Sequence, residues 1–393
     1  MESKYKSKIQ NSILICFSIL FSLAIAEVAL RILYQGNSGA LAKEYQSGPY
    51  LYNNEYWKVW HYPNTTITHQ RDCFEVTYQT NSLGLRGDEI DENKPIIALL
   101  GDSFIEGYGV NNHETAAEIL DSLVEDYNVL NFGTSGGFGT VHQVAQYENF
   151  ARYLNPDIVV VFFLNYNDLY DNAQAISEGI INDKLEFTYP ISSDYEVLEK
   201  QIQSQNPSEY LPTAFEGLYV TGAINKGINS LVAQLQIAFN SKLFDFNRRL
   251  AETYLPTETE EIRIGYEVLE NSLARLKSLT DKDGVNLVLV QIADPYQIDE
   301  NWLELMQYKF EEKIDPLLPN KKLAAICQEL GIDYLSMYEA AMEEIQDEDL
   351  SFPYFSYSCN RHFSPAGQRF MAEWFHSQID DVEFDFPIDA SLE

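Results

Sequence analysis

Ile96-Ile97-Ala98-Leu99-Leu100-Gly101-Asp102-Ser103-Phe104 is a short, wholly apolar run that breaks at a glycine into a polar pair. An apolar run of that length reads as a strand buried on both faces, and glycine permits a tight turn out of it. Four more strands are expected downstream at about 128–132, 157–164 (Asp-Ile-Val-Val-Val-Phe-Phe-Leu), 286–292 and 332–336. Amphipathic segments fall between them. The stretch 113–126 places Ile119, Leu120, Leu123 and Val124 at helical spacing, and 263–280 does the same with Ile264, Val268, Leu269, Leu273, Leu276 and Leu279. A last helix after Pro365 buries Phe370, Met371, Trp374 and Phe375. Buried runs alternating with helices predict an α/β fold on a five-stranded, doubly wound parallel sheet. The crevice of such a sheet opens at the carboxyl ends of its strands, and Ser103 stands there.

Three further loops fall at comparable places. The second strand runs into Asn131-Phe132-Gly133-Thr134-Ser135-Gly136-Gly137-Phe138-Gly139, whose backbone can approach a ligand closely. The third ends in Asn165-Tyr166-Asn167-Asp168, an amide donor at a strand's exit. Near the C-terminus, Asn360-Arg361-His362-Phe363-Ser364-Pro365-Ala366-Gly367 puts a histidine just before a helix start marked by Ser364 and Pro365. The other histidines precede the sheet (His61, His69), begin helices (His113, His142) or lie inside the last one (His376). Each loop alone has a bland explanation. Together they supply a serine, a base and oxyanion donors: a serine hydroxyl is a poor nucleophile until a histidine takes its proton, and the tetrahedral intermediate needs donors already in place. No Gly-Lys-Ser/Thr follows the first strand and Gly-x-Gly-x-x-Gly is absent from the second loop, so neither a phosphate-binding loop nor a dinucleotide cradle is expected, and no cofactor or metal is.

These blocks resemble the SGNH/GDSL hydrolases: Gly101-Asp102-Ser103-Phe104, Asn131 to Gly136, Asn165 to Asp168, and His362 to Gly367, over roughly 80–170 and 260–380. The resemblance implies a flavodoxin-like three-layer α/β/α sandwich. It implies Ser103 as nucleophile, His362 as base, and an oxyanion hole made of the Ser103 and Gly136 N–H groups and the Asn167 side-chain amide. The approach Asn81-Ser82-Leu83-Gly84-Leu85-Arg86-Gly87, with the apolar N-terminus, looks like a membrane-anchored bacterial branch of that family. One departure stands out, because members usually carry an aspartate two or three residues before the histidine, where this chain has Asn360 and Cys359. Asparagine can hold the imidazole's tautomer but cannot stabilise the imidazolium. A working Ser–His–Asn arrangement, a slow enzyme and a binding protein that lost catalysis all fit. The reading is therefore an ester hydrolase or O-acyl transferase acting on acylated glycans or other small esters through an acyl-serine. The alternative is a non-catalytic envelope module that binds acylated polysaccharide or a partner protein.

Lys4, Lys6 and Lys8 precede an apolar run from Ile13 to Ala26 with a weaker continuation to Tyr34, and Ser12 to Tyr34 is long enough to cross a bilayer. An uncleaved anchor and a signal peptide ending in Ala24-Ile25-Ala26 both fit. Either way the basic flank places the remainder outside the cytoplasm, the anchor making it a single-pass protein of the cell membrane. The expected layout is an anchor or signal over 1–34, an irregular, aromatic-rich lead-in over 35–94, and the hydrolase domain over 95–385. That domain carries an insertion over 173–260, broken by Pro190, Pro207, Pro212 and Pro256, which either roofs the crevice or decorates the fold elsewhere. A net charge of −34 over 393 residues argues against nucleic acid as a partner and favours a neutral, sugar-like one. Trp57, Trp60, Tyr108 and Phe138 are candidates to stack on a sugar ring. Cys16, Cys73, Cys327 and Cys359 make no metal-site spacing, and the last three permit one intramolecular disulfide; Cys327 reads as core.

Overall fold

The computed structural model describes residues 44–207 apart from 49, 72 and 193, then 249–347, 355–357 and 361–379, with three isolated positions before residue 44. The expected anchor lies outside the described residues; among those described, no helix is long and apolar enough to cross a membrane.

The lead-in is more regular than its sequence suggests. Five short strands, β1 (Glu44–Gln46), β2 (Leu51–Asn54), β3 (Lys58–His61), β4 (Thr66–Arg71) and β5 (Phe74–Gln79), build a β1-β4-β5 antiparallel sheet and a β2-β3 hairpin. Its aromatics do the packing. Alternate residues of β5 are buried, and Phe74, Val76 and Tyr78 join Tyr50 and Ile67 in a small core. Trp57 and Trp60 are fully buried, with the Trp57 ring stacked on Phe150 at 5.6 Å. This corrects the expectation that the region is irregular. It also removes Trp57, Trp60 and Phe138, all 0% exposed, as sugar-stacking candidates.

The main sheet follows, with β6 (Ile96–Leu100), β7 (Asn128–Asn131), β8 (Ile158–Phe163), β9 (Asn286–Gln291) and β10 (Asp333–Ser336). All pairings are parallel and the order is β10-β9-β8-β6-β7, the 2-1-3-4-5 arrangement of flavodoxin-like sheets. Every residue of β6 and β8 is buried, as two covered faces require. Strand periodicity splits them between two cores. Ala98, Leu100, Val159 and Val161 face α3 (Thr140–Asn149), α6 (Glu260–Asp283) and α8 (Leu318–Leu330), whose Cys327 is buried and free. Ile97, Leu99, Val160 and Phe162 face α2 (Ala116–Leu123), α9 (Tyr338–Asp347) and α10 (Pro365–Ile379). Helix ends follow local capping. Thr115 accepts the Glu118 N–H and starts α2 after a separate turn over Asn112–Glu114, so that helix begins later than 113; Thr259 and the left-handed Gly284 extend α6 beyond 263–280.

Four further helices are α1 (Ser103–Glu106), α4 (Asn165–Glu178), α5 (Tyr195–Gln203) and α7 (Glu300–Gln307). The two described ends of the insertion do different things. In α5, Leu198 and Ile202 pack into the core beneath α3 and α6, as a decoration would. Leu250, Tyr254 and Leu255 instead pack with Tyr296 and Trp302 beside Tyr166, at the strand exits.

Candidate active site

Ser103 opens α1 directly beyond β6. Asp102 is the N-cap, its extended backbone turning the chain and its Oδ1 accepting the Phe104 N–H at 2.8 Å. The serine is half-buried, and its Oγ lies 2.8 Å from His362 Nε2. The two residues are 259 positions apart in the chain and meet because β6 and the loop before α10 end at the same edge of the sheet. Gln368 joins the two elements: its amide donates to Phe104 O at 2.8 Å and accepts the Ala116 N–H at 2.8 Å.

The loops at the exits of β7 and β8 stand beside Ser103. Asn131 ties the second loop to the helix that Ser103 opens, donating to Ile105 O at 2.9 Å and accepting the Gly133 N–H at 3.0 Å. Gly133 must be glycine, since a Cβ there would stand 2.0 Å from Glu106 N. Gly136 has φ 105, a left-handed conformation that favours glycine, and no described atom lies within 4 Å of where its Cβ would be. On the far side of this loop Lys58 donates to Gly137 O and to Glu178 Oε1, both at 2.8 Å, while His142 Nε2 lies 3.0 Å from Glu178 Oε2. The hydrogen bond from His142, with that from Lys58, holds the Glu178 carboxyl down at about 2.

Asn167 stands in the first turn of α4, and its Nδ2 donates to Asp102 Oδ2 at 2.7 Å. A side-chain amide carries two N–H groups, so the second remains for a ligand oxygen beside Ser103. Asp102 therefore aims an amide as well as capping a helix, a role its position in Gly-Asp-Ser does not reveal. Behind it Asp168 is fully buried, with Oδ2 accepting the Leu164 N–H at 2.7 Å. Burial pushes the carboxyls of Asp102 and Asp168 up, with the charge of Glu106 adding to the first and that of Asp102 to the second. Burial and then the charge of Asp102 push Asp171 up to about 7.

Ser103, Gly136, Asn167 and His362 thus all lie at one edge, Ser103 and His362 in direct contact and Asn167 joined to the serine's neighbour. Asn360 lies outside the described residues. Sequence reasoning assigned no role to Asp102, Gln368, Arg86 or Lys58; only the aspartate carried a signal, its place beside the serine. Arg86 is 1% exposed, donates to Glu106 O at 2.8 Å, to Gly107 O at 2.6 Å and to Val110 O, and stacks on Tyr78 at 3.9 Å. It closes the carbonyl end of the serine's helix. Among the described residues no cluster fit to hold a metal ion exists.

No family model matches the chain, and no curated protein matches it either. Among solved structures it is similar to an acetyl xylan esterase from Geobacillus stearothermophilus (14% identity, 74% of this chain and 97% of that one, TM-score 0.37). It is also similar to a member of the lipolytic G-D-S-L family from Veillonella parvula (14%, 74% and 100%, TM-score 0.35). A third is a lipase/acylhydrolase from Enterococcus faecalis (13%, 73% and 96%, TM-score 0.32).

Proposed function

We propose that the chain is an extracytoplasmic serine ester hydrolase of the SGNH/GDSL type, acting on acylated glycans or other neutral esters through an acyl-serine. The observation that carries this is the 2.8 Å contact between Ser103 Oγ and His362 Nε2 at the carboxyl edge of the sheet. Within that geometry His362 takes the hydroxyl proton as Ser103 Oγ attacks the ester carbonyl carbon. The negative oxygen of the tetrahedral intermediate is met by the N–H groups of Ser103 and Gly136 and by the Asn167 amide. His362 returns the proton to the departing alcohol oxygen. Water, or a sugar hydroxyl in acyl transfer, then attacks the acyl carbon with His362 again as base; the C–Oγ bond breaks, His362 returns the proton to Ser103 Oγ, and the carboxylic acid or new ester leaves.

Two observations support the compartment. Lys4, Lys6 and Lys8 stand before the apolar run, and Cys73 is disulfide-bonded, a state favoured outside the cytoplasm. The net charge of −34 favours uncharged substrates over polyanions. The test is turnover of p-nitrophenyl acetate and butyrate with labelling by a serine-reactive fluorophosphonate. The wild type should turn over and label; Ser103→Ala should do neither while its far-UV circular dichroism is unchanged. Labelling that survives the substitution rejects Ser103. A fusion after residue 45 should be active with alkaline phosphatase and silent with a cytoplasm-only reporter.

A further inference from the structure

His362 is gripped by rings as well as by the serine. Tyr108, five positions beyond Ser103, sets its ring against the imidazole at 4.5 Å between centroids and 33° between planes, and Phe104 touches the same imidazole at 5.1 Å. Both rings come from the segment that carries the nucleophile, so serine and base share one support. Tyr108 is in turn held from the lead-in sheet. Its hydroxyl lies 3.4 Å from His69 Nε2, and the His69 ring stands edge-on to it at 4.9 Å. The other nitrogen of His69 is 2.9 Å from the Tyr78 hydroxyl, which accepts the N–H of Gly109 at 2.7 Å, one residue past Tyr108. His69 and Tyr78 are both almost completely buried and sit on the inward face of neighbouring strands β4 and β5. The path runs from Gly109 through Tyr78 and His69 to Tyr108 and closes on itself.

We propose that Tyr108 is a positioning residue for the His362 base, and that His69 and Tyr78 of the lead-in sheet set its place. An imidazole on two rotatable bonds must keep Nε2 on the serine hydroxyl to within about 0.5 Å and 10–20° to act as a base. A ring against its face restrains the tilt that a single hydrogen bond leaves free. The consequence is that the strands before residue 80 belong to the active site, through the ring that they hold against His362.

The inference rests on the esterase reading, and the experiment separates the two. On the full chain, kcat and KM for p-nitrophenyl acetate and the second-order rate of fluorophosphonate labelling would be measured for Tyr108→Leu, Tyr108→Phe and His69→Gln. Tyr108→Leu should lose on the order of tenfold to a hundredfold in kcat and in labelling rate, with KM moving less than about threefold, the scale expected of a slightly misplaced catalytic group. Tyr108→Phe keeps the ring and loses only the hydroxyl, so it should recover most of that loss; His69→Gln should fall between. An unchanged kcat in Tyr108→Leu overturns the proposal, as does a change confined to KM, which would make Tyr108 a substrate contact. A wild type that neither turns over nor labels counts against the esterase instead. The Hε1 proton resonance of His362, assigned by its disappearance in His362→Gln, then decides the positioning claim alone. It should be ring-current shifted in the wild type and move toward the random-coil value in Tyr108→Leu, and coincident spectra would reject it.

Discussion

At the scale of single residues, Asp102 is the most informative. Its two carboxylate oxygens serve different partners, the Phe104 N–H and the Asn167 amide, and both are acceptor roles. Asp102→Asn keeps the shape but presents an NH2 group to one of those donors. If the cap keeps the remaining oxygen, Asn167 meets donor with donor and must turn away from the serine. Losing one oxyanion donor costs about 10²–10³ in kcat. Asp102→Asn and Asn167→Ala should each lose about that much, with KM little changed, and the double variant should lose no more than either single one. Additive losses in that double-mutant cycle would mean that Asp102 does not act through Asn167. Stability should move the other way, because the substitution removes a buried acid that burial disfavours in its charged form. A variant less active yet no easier to unfold in urea is the expected signature.

At the scale of elements, the serine's helix has only four residues and cannot hold itself. Its N-terminal end is held by Asp102, its carbonyl end by Arg86, and its flank by Asn131 and Gln368. Arg86 reaches it because Asn81 folds the preceding turn, its Oδ1 accepting the N–H groups of both Leu83 and Leu85 at 3.0 Å. The guanidinium fork serves three carbonyls at once, which a lysine's point charge cannot do. Arg86→Lys should therefore fail to rescue Arg86→Met. Leaving a buried carbonyl without its donor costs about 1–3 kcal/mol, so both variants should show a loss of at least that order in urea unfolding together with slower fluorophosphonate labelling. A lysine variant with wild-type stability would show that charge alone is what the carbonyls need.

At the scale of the whole molecule, buried acids decide how stability depends on pH. Burial pushes Glu118 and Asp171 up to about 7 and Asp294 up to about 6, and also raises Asp168. A carboxyl whose folded pKa lies above its unfolded value binds its proton more tightly in the folded state. The stability it contributes is complete below about pH 4 and is lost as pH rises through the folded value. Glu178, held down at about 2, acts in the opposite sense, but its contribution is already complete above about pH 4.5. The net charge of −34 adds self-repulsion as acids ionise. Urea midpoints should therefore fall from pH 5 to pH 8, less steeply in Asp171→Asn and in added salt. A midpoint that rises over that interval would contradict the assignment of these groups.

The sequence by itself determined the strands of the main sheet, the places where they end and the loops that carry Ser103, Gly136, Asn167 and His362. Those features are local: unbroken apolar runs, turn residues and helix starts depend on neighbours a few positions away. Helix ends and the lead-in were less legible. Thr115 and Thr259 move the helix starts by side-chain caps that an apolar period does not register, and the short lead-in strands bury tyrosine, tryptophan and histidine in place of an alternating aliphatic face. Only the tertiary structure decided what the buried polar residues do. In a sequence, Asp102, Arg86, Gln368 and His69 look like surface residues, because a polar side chain is tolerated inside only when distant parts of the chain complete its hydrogen bonds. Which parts those are is a matter of how the sheet stacks its crossovers. That stacking, and no pattern along the chain, puts a serine from the first strand of the main sheet and a histidine from the last loop 2.8 Å apart.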